Sequence, residues 1–351
     1  MKRSNLMIGL LGVLVLFAVA TALKAAQTVL IPLMIAWLLS YICGPVVTFL
    51  VGKKIPLGLA VFAVLILVLG VCYLGGIFLI GRVQSFISES PKYAIQLQSI
   101  YNDLMYNLSE KMSVPEGAFA DINWAQEIGK RLVVVSGSLA SFVGNLIMVL
   151  IFLVFMLLGK PYFKYKVAKA FPPVQATQFT EVTASISKQI GQYLTVKVAI
   201  SGTTGILVWL ALTLLKVEFA LTWGALAFFL NFIPSIGSIL ASLPPILLAI
   251  VQFYPSVWWP IFTAVVLLLI QMAMGNVIEP KIMGESLNLS PVVILLSLVF
   301  FGWLWGIVGA LLSVPIAATI KIVCENIEGL KPISILMGSG KTCMKETMAS
   351  A

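Results

Sequence analysis

The chain has no histidine among its 351 residues. This removes imidazole metal ligands, histidine acid–base pairs and histidine proton relays together. Charge is scarce as well: only 10% of residues are Asp, Glu, Lys or Arg, whereas soluble domains carry about 25%. Acids are the scarcer sign, 13 against 22 bases, so paired catalytic carboxylates have few residues to draw on. Cysteine is limited to Cys43, Cys72, Cys324 and Cys343, with no Cys-x-x-Cys pair. Cys43 and Cys72 sit in apolar runs, where a thiol behaves as a small hydrophobe. Neither a disulfide framework nor a zinc site is expected. No cofactor or metal is implied, and the pattern is not that of an enzyme.

What remains is apolar. A hydrophobic share of 60% and a mean hydropathy of +1.08 predict an all-α polytopic membrane protein. The net charge of +9 then reads as the Lys and Arg excess of cytoplasmic loops, with no nucleic-acid partner. Lys2 and Arg3 precede an uncharged run from Leu6 to Leu23. It is read as a retained first helix; Ala18-Val19-Ala20 resembles a signal-peptidase site and leaves cleavage as the alternative.

Nearly uncharged segments predict helices at 6–23, 28–51, 55–81, 132–158, 198–215 and 257–275. Two further stretches, 219–251 and 291–324, fit neither one crossing nor two. A spanning helix needs roughly 20 residues, and each of these is too long for one and too short for a pair. Each also carries Gly and Pro in its middle. They predict broken or re-entrant hairpins that turn inside the membrane, tolerated there only where backbone is buried in protein or lines a watery cavity. The expected fold is therefore about six full spanning helices plus two such hairpins.

The organisation follows: spanning helices over 1–81; an amphipathic polar interval, read as periplasmic, over 82–131; a span and a Lys-rich cytoplasmic amphipathic helix over 132–197; a transport core over 198–324; and a cytoplasmic tail over 325–351. Within the polar interval, Pro115-Glu116-Gly117 marks a turn. The charge asymmetry places both termini in the cytoplasm. With hairpins, residues 276–290 are cytoplasmic; with plain spans they are outside.

An internal repeat accompanies the hairpins. Phe228-Phe229, Gly237 and Ile239-Leu240 recur 72 residues on as Phe300-Phe301, Gly309 and Leu311-Leu312. Opposite entry sides would make this an inverted repeat, and interrupted helices in inverted repeats mark substrate sites.

Three constellations carry candidate chemistry. The first hairpin turns through Asn231, Pro234, Ser235, Gly237 and Ser238. Pro removes an N–H and Gly permits unusual backbone, so helix-end groups and neutral side chains are offered to a polar solute. Close helix packing by small residues is the other reading. The second holds Gln271, Asn276, Glu279, Pro280, Lys281 and Gly284. There Glu279 faces a cavity, binds a coupling cation or pairs with Lys281; a solvated helix cap is the alternative. The third is the second hairpin tip, with Gly302, Gly306, Gly309 and Pro315 as hinge or packing positions. Gly302 and Gly306 make the G-x-x-x-G spacing of close helix packing, and Trp303 and Trp305 read as interface anchors. Gly338-Ser339-Gly340-Lys341-Thr342 mimics a phosphate-binding loop, but Ile335 stands where that motif needs glycine.

These residues resemble a known signature. The runs Trp223–Ser238, Gly275–Gly284 and Gly306–Pro315 are similar to those of the autoinducer-2 exporter family. The resemblance implies a bacterial inner-membrane permease that moves a small polar solute outward, autoinducer-2 being the namesake cargo. It also implies a homo-oligomer, with a pentamer as the expected count, and an elevator-like movement of the hairpin unit. Membrane lipids and a small-molecule substrate are the expected partners. Asn231, Pro234, Gly237, Glu279, Pro280 and Gly284 are the positions that carry over. Similar proteins have been linked to cation/proton exchange, so a sodium or potassium ion/proton antiporter stands as the second reading. Such antiporters usually place a carboxylate well inside the membrane, whereas Glu218 and Glu279 stand near segment ends.

Overall fold

The structure is a computed structural model describing residues 2–109, 124–234, 236–283 and 287–340. Among the described residues it is helical throughout, with no named strand. Six helices are long and apolar enough to cross a membrane: Gln27–Gly52, Leu57–Arg82, Gly144–Ala170, Pro173–Leu214, Trp258–Ile282 and Pro291–Glu325. The protein is an all-α polytopic membrane protein.

Helices α1 (Lys2–Ala25), α2 (Gln27–Gly52), α3 (Leu57–Ser109), α4 (Trp124–Ala170) and α5 (Pro173–Leu214) form the first part of the chain. Several boundaries differ from those read in the sequence. No break separates a span from a polar interval at residue 82: α3 runs on as a single helix of 53 residues. The switch in composition there changes the face of the helix, not its backbone, since Lys, Glu and Gln are good helix formers. The same holds at residue 197, where the Lys-rich amphipathic stretch and the following span are one 42-residue helix, α5. The real stop lies at Phe171-Pro172, and Pro173 opens α5 at a position where its missing N–H costs nothing. The turn at Pro115-Glu116-Gly117 lies outside the described residues.

The chain divides into two compact units. The first comprises Met1–Ile66, Val143–Val196 and Glu285–Ala351; the second comprises Leu67–Phe142 and Lys197–Gly284. One hairpin falls in each.

In the second unit, α6 (Ala220–Leu230) and α7 (Ile236–Gln252) make the first hairpin. At 11 residues, α6 is about 16 Å long, roughly half the hydrocarbon thickness. The chain then reverses: a β-carbon on Gly237 would collide with the carbonyl oxygen of Leu230. The ends are tied together, the amide of Glu218 donating to Gln252 Oε1 at 2.9 Å and Gln252 Nε2 to the Lys216 carbonyl at 2.8 Å. A core of Ala227, Ala241, Leu248 and Ala249 packs within the hairpin and against Val208 and Leu212 of α5 and Leu267 of α8 (Trp258–Gln271). A π-helical stretch, Met272–Ile278, then leads into α9 (Glu279–Met283).

In the first unit, α10 (Pro291–Glu325) is the second hairpin. Its helical geometry fails at Trp305 (φ −128°) and Gly306 (φ +63°, ψ −143°), a conformation open to glycine alone at little cost. Gly309 lies against the carbonyl of Phe301; eight residues along a straight helix would separate them by about 12 Å. The base is tied here too. The Ser290 amide donates to the Met337 carbonyl at 2.9 Å, and the Ser339 amide to Asn288 Oδ1 at 3.1 Å, beside α11 (Lys331–Met337). Phe301, Leu304, Trp305 and Leu312 pack on Leu23 of α1 and Leu30, Met34 and Leu38 of α2.

Candidate functional site

Three buried polar residues lie along one face of α5: Lys197, 2% exposed, and Ser201 and Thr204, both fully buried. Their spacing of four and then three residues is that of one helical stripe, continued by the buried Val208. Thr204 satisfies its hydroxyl locally, donating to the Ile200 carbonyl at 2.8 Å. The other two reach out to other elements of the second unit. Ser201 Oγ accepts from Asn231 Nδ2 at 3.0 Å, and Lys197 Nζ donates to Glu279 Oε1 in an ion pair. One turn of one helix thus brings together the first hairpin's elbow and the end of the π-helical stretch.

The electrostatics of this junction are uneven. Lys197 is enclosed, while the Glu279 side chain is 21% exposed. A buried ammonium is costly unless paired, and Glu279 supplies the pairing charge. A carboxylate has lone pairs beyond those one ammonium uses, so an incoming polar solute has an anionic acceptor to meet here. The π-helical geometry from Met272 to Ile278 re-aims the residues that follow, and π segments recur at functional positions. Close approach of α5 and α6 holds the stripe in place. A β-carbon on Gly205 would lie 2.8 Å from the Gly224 carbonyl oxygen, and one on Gly224 would lie 2.7 Å from that of Gly205.

The structure distributes the sequence-predicted positions unevenly. Asn231 is buried at 8% exposure and Gly237 is buried beside it in the elbow, with Pro234 and Ser238 half-buried. Ser235 and Gly284 lie outside the described residues. Gln271 is half-buried, whereas Asn276 and Pro280 are exposed. Glu279 pairs with Lys197, not with the exposed Lys281.

Two expectations are corrected. Three of the elbow amides expected to face a solute are already taken: those of Asn231, Ile233 and Gly237 donate to the Ala227, Leu230 and Ile233 carbonyls at 2.9–3.1 Å. Tight turning closes these three bonds locally, and the Asn231 side chain adds a polar group of its own. Gly302 and Gly306 do not form a packing face either. Gly306 is the bend itself with open space around it, and Gly302 meets Ala310 of its own hairpin. Gly309 and Pro315 are buried in that hairpin. Trp305 donates from Nε1 to the Leu23 carbonyl at 3.2 Å, and exposed Trp303 lies under Lys24, 4.8 Å from its ring centre.

Lys197, Ser201, Thr204, Gly205 and Gly224 were not singled out as functional in the sequence. The available signal was the Lys197, Ser201, Thr204 stripe entering an otherwise uncharged span.

A family model described as AI-2E family transporter matches residues 10–329. The chain belongs to the AI-2E transporter family. Among its relatives is the AI-2 transport protein TqsA of Escherichia coli K12, 33% identical over 339 residues, covering 93% of this chain and 94% of TqsA. A protein of Borreliella burgdorferi, named only as a transport-protein candidate, is 36% identical over 320 residues, 91% of this chain and 87% of its own length. YhhT of Escherichia coli K12, named in the same guarded way, is 30% identical over 337 residues, 93% of each chain. Sequence similarity to these relatives therefore runs along nearly the whole length of this AI-2E transporter.

Proposed function

We propose that this AI-2E transporter is a secondary exporter of a small polar signalling molecule, autoinducer-2 foremost, across the bacterial inner membrane. The observation that carries the reading is the α5 junction, where a neutral amide–hydroxyl pair (Asn231–Ser201) sits one helical turn from a charged pair (Lys197–Glu279). A hydroxyl-rich, largely uncharged ring would exchange hydrogen bonds with the neutral pair and donate to the carboxylate. The name of TqsA, an AI-2 transport protein, supports the same cargo. On this reading both hairpins are re-entrant and enter from opposite sides as an inverted repeat. Asn231, Pro234, Ser235, Gly237, Ser238, Gln271, Asn276, Glu279, Pro280 and Gly284 are substrate-binding positions, and Gly302, Gly306, Gly309 and Pro315 are hinge or packing positions. The termini are cytoplasmic and the working form is a homo-oligomer, a pentamer.

One observation favours a second reading, sodium or potassium exchange for protons. Ionisable pairs enclosed in membrane proteins mark ion pathways, and Lys197–Glu279 is such a pair. Sealed vesicles separate the two. Export predicts autoinducer-2 movement that falls at least tenfold in Asn231→Ala and in Glu279→Gln, about 1.4 kcal/mol of lost stabilisation or more. Exchange predicts a sodium- or potassium-dependent pH change that Glu279→Gln abolishes and Asn231→Ala spares. Normal autoinducer-2 flux in both variants would refute the site.

A further inference from the structure

The first unit contains a cavity of about 910 Å³ that the proposed transport site does not use. Its walls come from α2, the end of α4, the start of α5 and the second half of α10. Its chemistry changes along its length. One part is lined by Leu33, Met34, Phe155, Met156, Ile316 and Ile320. Phe155 and Ile320 are also exposed, and both lie within helices long and apolar enough to cross a membrane. The other part holds Lys160, Lys164, Thr183, Ser187 and Tyr41. Lys160 reaches across from α4: its Nζ lies 5.4 Å from the centre of the Tyr41 ring and would meet a β-carbon on Gly44 at 2.9 Å. Tyr41 and Ser187 bring two hydroxyls to this end. No carboxylate lines the cavity among the described residues. Exposed Tyr162, Phe163 and Tyr165 flank the lysine end, the aromatic composition of a membrane–water interface.

A pocket that joins an uncompensated basic, hydroxyl-bearing end to an apolar trough matches an amphiphile of opposite charge. Basic pockets between spanning helices recognise anionic lipid headgroups. We infer that this cavity is a binding site for an anionic phospholipid, its phosphate held by Lys160 and Lys164 with hydroxyl donors beside it and an acyl chain lying along Met34, Phe155 and Ile316. Occupancy would brace α2, α4, α5 and α10 of the first unit against each other.

The test uses the full-length protein in neutral detergent with three additions: phosphatidylglycerol, phosphatidylcholine of the same chains, and inorganic phosphate alone. Phosphatidylglycerol is expected to raise the melting temperature and to remain bound in native mass spectra, with little effect from the other two. The Lys160→Gln/Lys164→Gln variant loses both effects, while Lys53→Gln/Lys54→Gln keeps them. Equal effects of phosphatidylcholine would overturn recognition of charge. Equal effects of phosphate alone would overturn the lipid in favour of a soluble phosphate-bearing solute. Retention of both effects in the Lys160/Lys164 variant would overturn the site. Wild-type protein supplies a reading that needs no substitution. Phosphatidylglycerol with a photoreactive acyl chain should crosslink at Phe155, Met156 or Ile316, and crosslinks confined to other helices would refute the placement.

Discussion

Lys197 is enclosed with Glu279 as its partner, and the energetics of that arrangement are asymmetric. Breaking a buried pair by removing one member leaves an uncompensated charge and costs about 3–5 kcal/mol, whereas replacing both by apolar or neutral groups is often nearly neutral. Glu279→Gln and Lys197→Met are each expected to destabilise strongly. The double variant should recover most of that loss, read as a coupling in a double-mutant cycle of denaturant unfolding. Transport need not recover with it, because the double variant folds without the anionic acceptor. Additive stability losses would mean that the two groups do not share one site. In the sequence, Asn231 and Glu279 stood out because each is polar beside a break in an apolar run. Lys197 did not, since six lysines between residues 159 and 197 made it one more member of a cytoplasmic basic stretch. Its partner lies 82 residues away, a distance that no local pattern reports.

Hairpin tips and helix crossings depend on four glycines whose missing β-carbons are structural requirements. Gly237 and Gly309 each face a carbonyl of the preceding half-helix, so alanine at either must push the two arms apart. Gly205 and Gly224 face each other across α5 and α6. Overpacking of this kind typically costs 1–3 kcal/mol, and Gly224→Val is expected to lower the melting temperature more than Gly302→Ala, where the nearest atom is 3.9 Å away. Equal effects would show that the two backbones do not touch. The breaks themselves were legible, because Pro and Gly interrupt runs of an unsuitable length. Their mechanism was not. The repeat pointed to Gly237 and Gly309, yet in the second hairpin the unusual backbone falls on Gly306, which the G-x-x-x-G spacing had suggested for packing. The long continuous α3 and α5 were missed for a related reason: a change from apolar to charged residues alters which face is buried but does not stop a helix.

At the scale of the molecule, the polar part of α3 braces the base of the first hairpin. Tyr93 donates to Glu218, Lys92 pairs with the same carboxylate at 2.6 Å, and the Tyr254 hydroxyl donates to Asp103 at 2.7 Å. The Asp103 contact pushes the Tyr254 hydroxyl above its ordinary value of 10.0, first by the hydrogen bond and then by desolvation and carboxylate repulsion. A raised value in the folded state means that the contact contributes below pH 10 and is lost as pH climbs through the raised value. Melting temperature should therefore fall more steeply in wild type than in Tyr254→Phe above that pH. That bracing makes a topological statement that can be checked directly. Gln252 bonds both Lys216 and Glu218, so the chain enters and leaves the hairpin at one end. Lys216 and Ser256 are both exposed. In a protein whose four cysteines are replaced by alanine, Lys216→Cys and Ser256→Cys should react with an impermeant maleimide from the same side of sealed, oriented vesicles. A plain span over 219–251 would carry the chain across and put these two thiols on opposite sides. Labelling of one from within and the other from without would remove the hairpin, and the junction of Asn231 with Ser201 would lose the elbow that positions it.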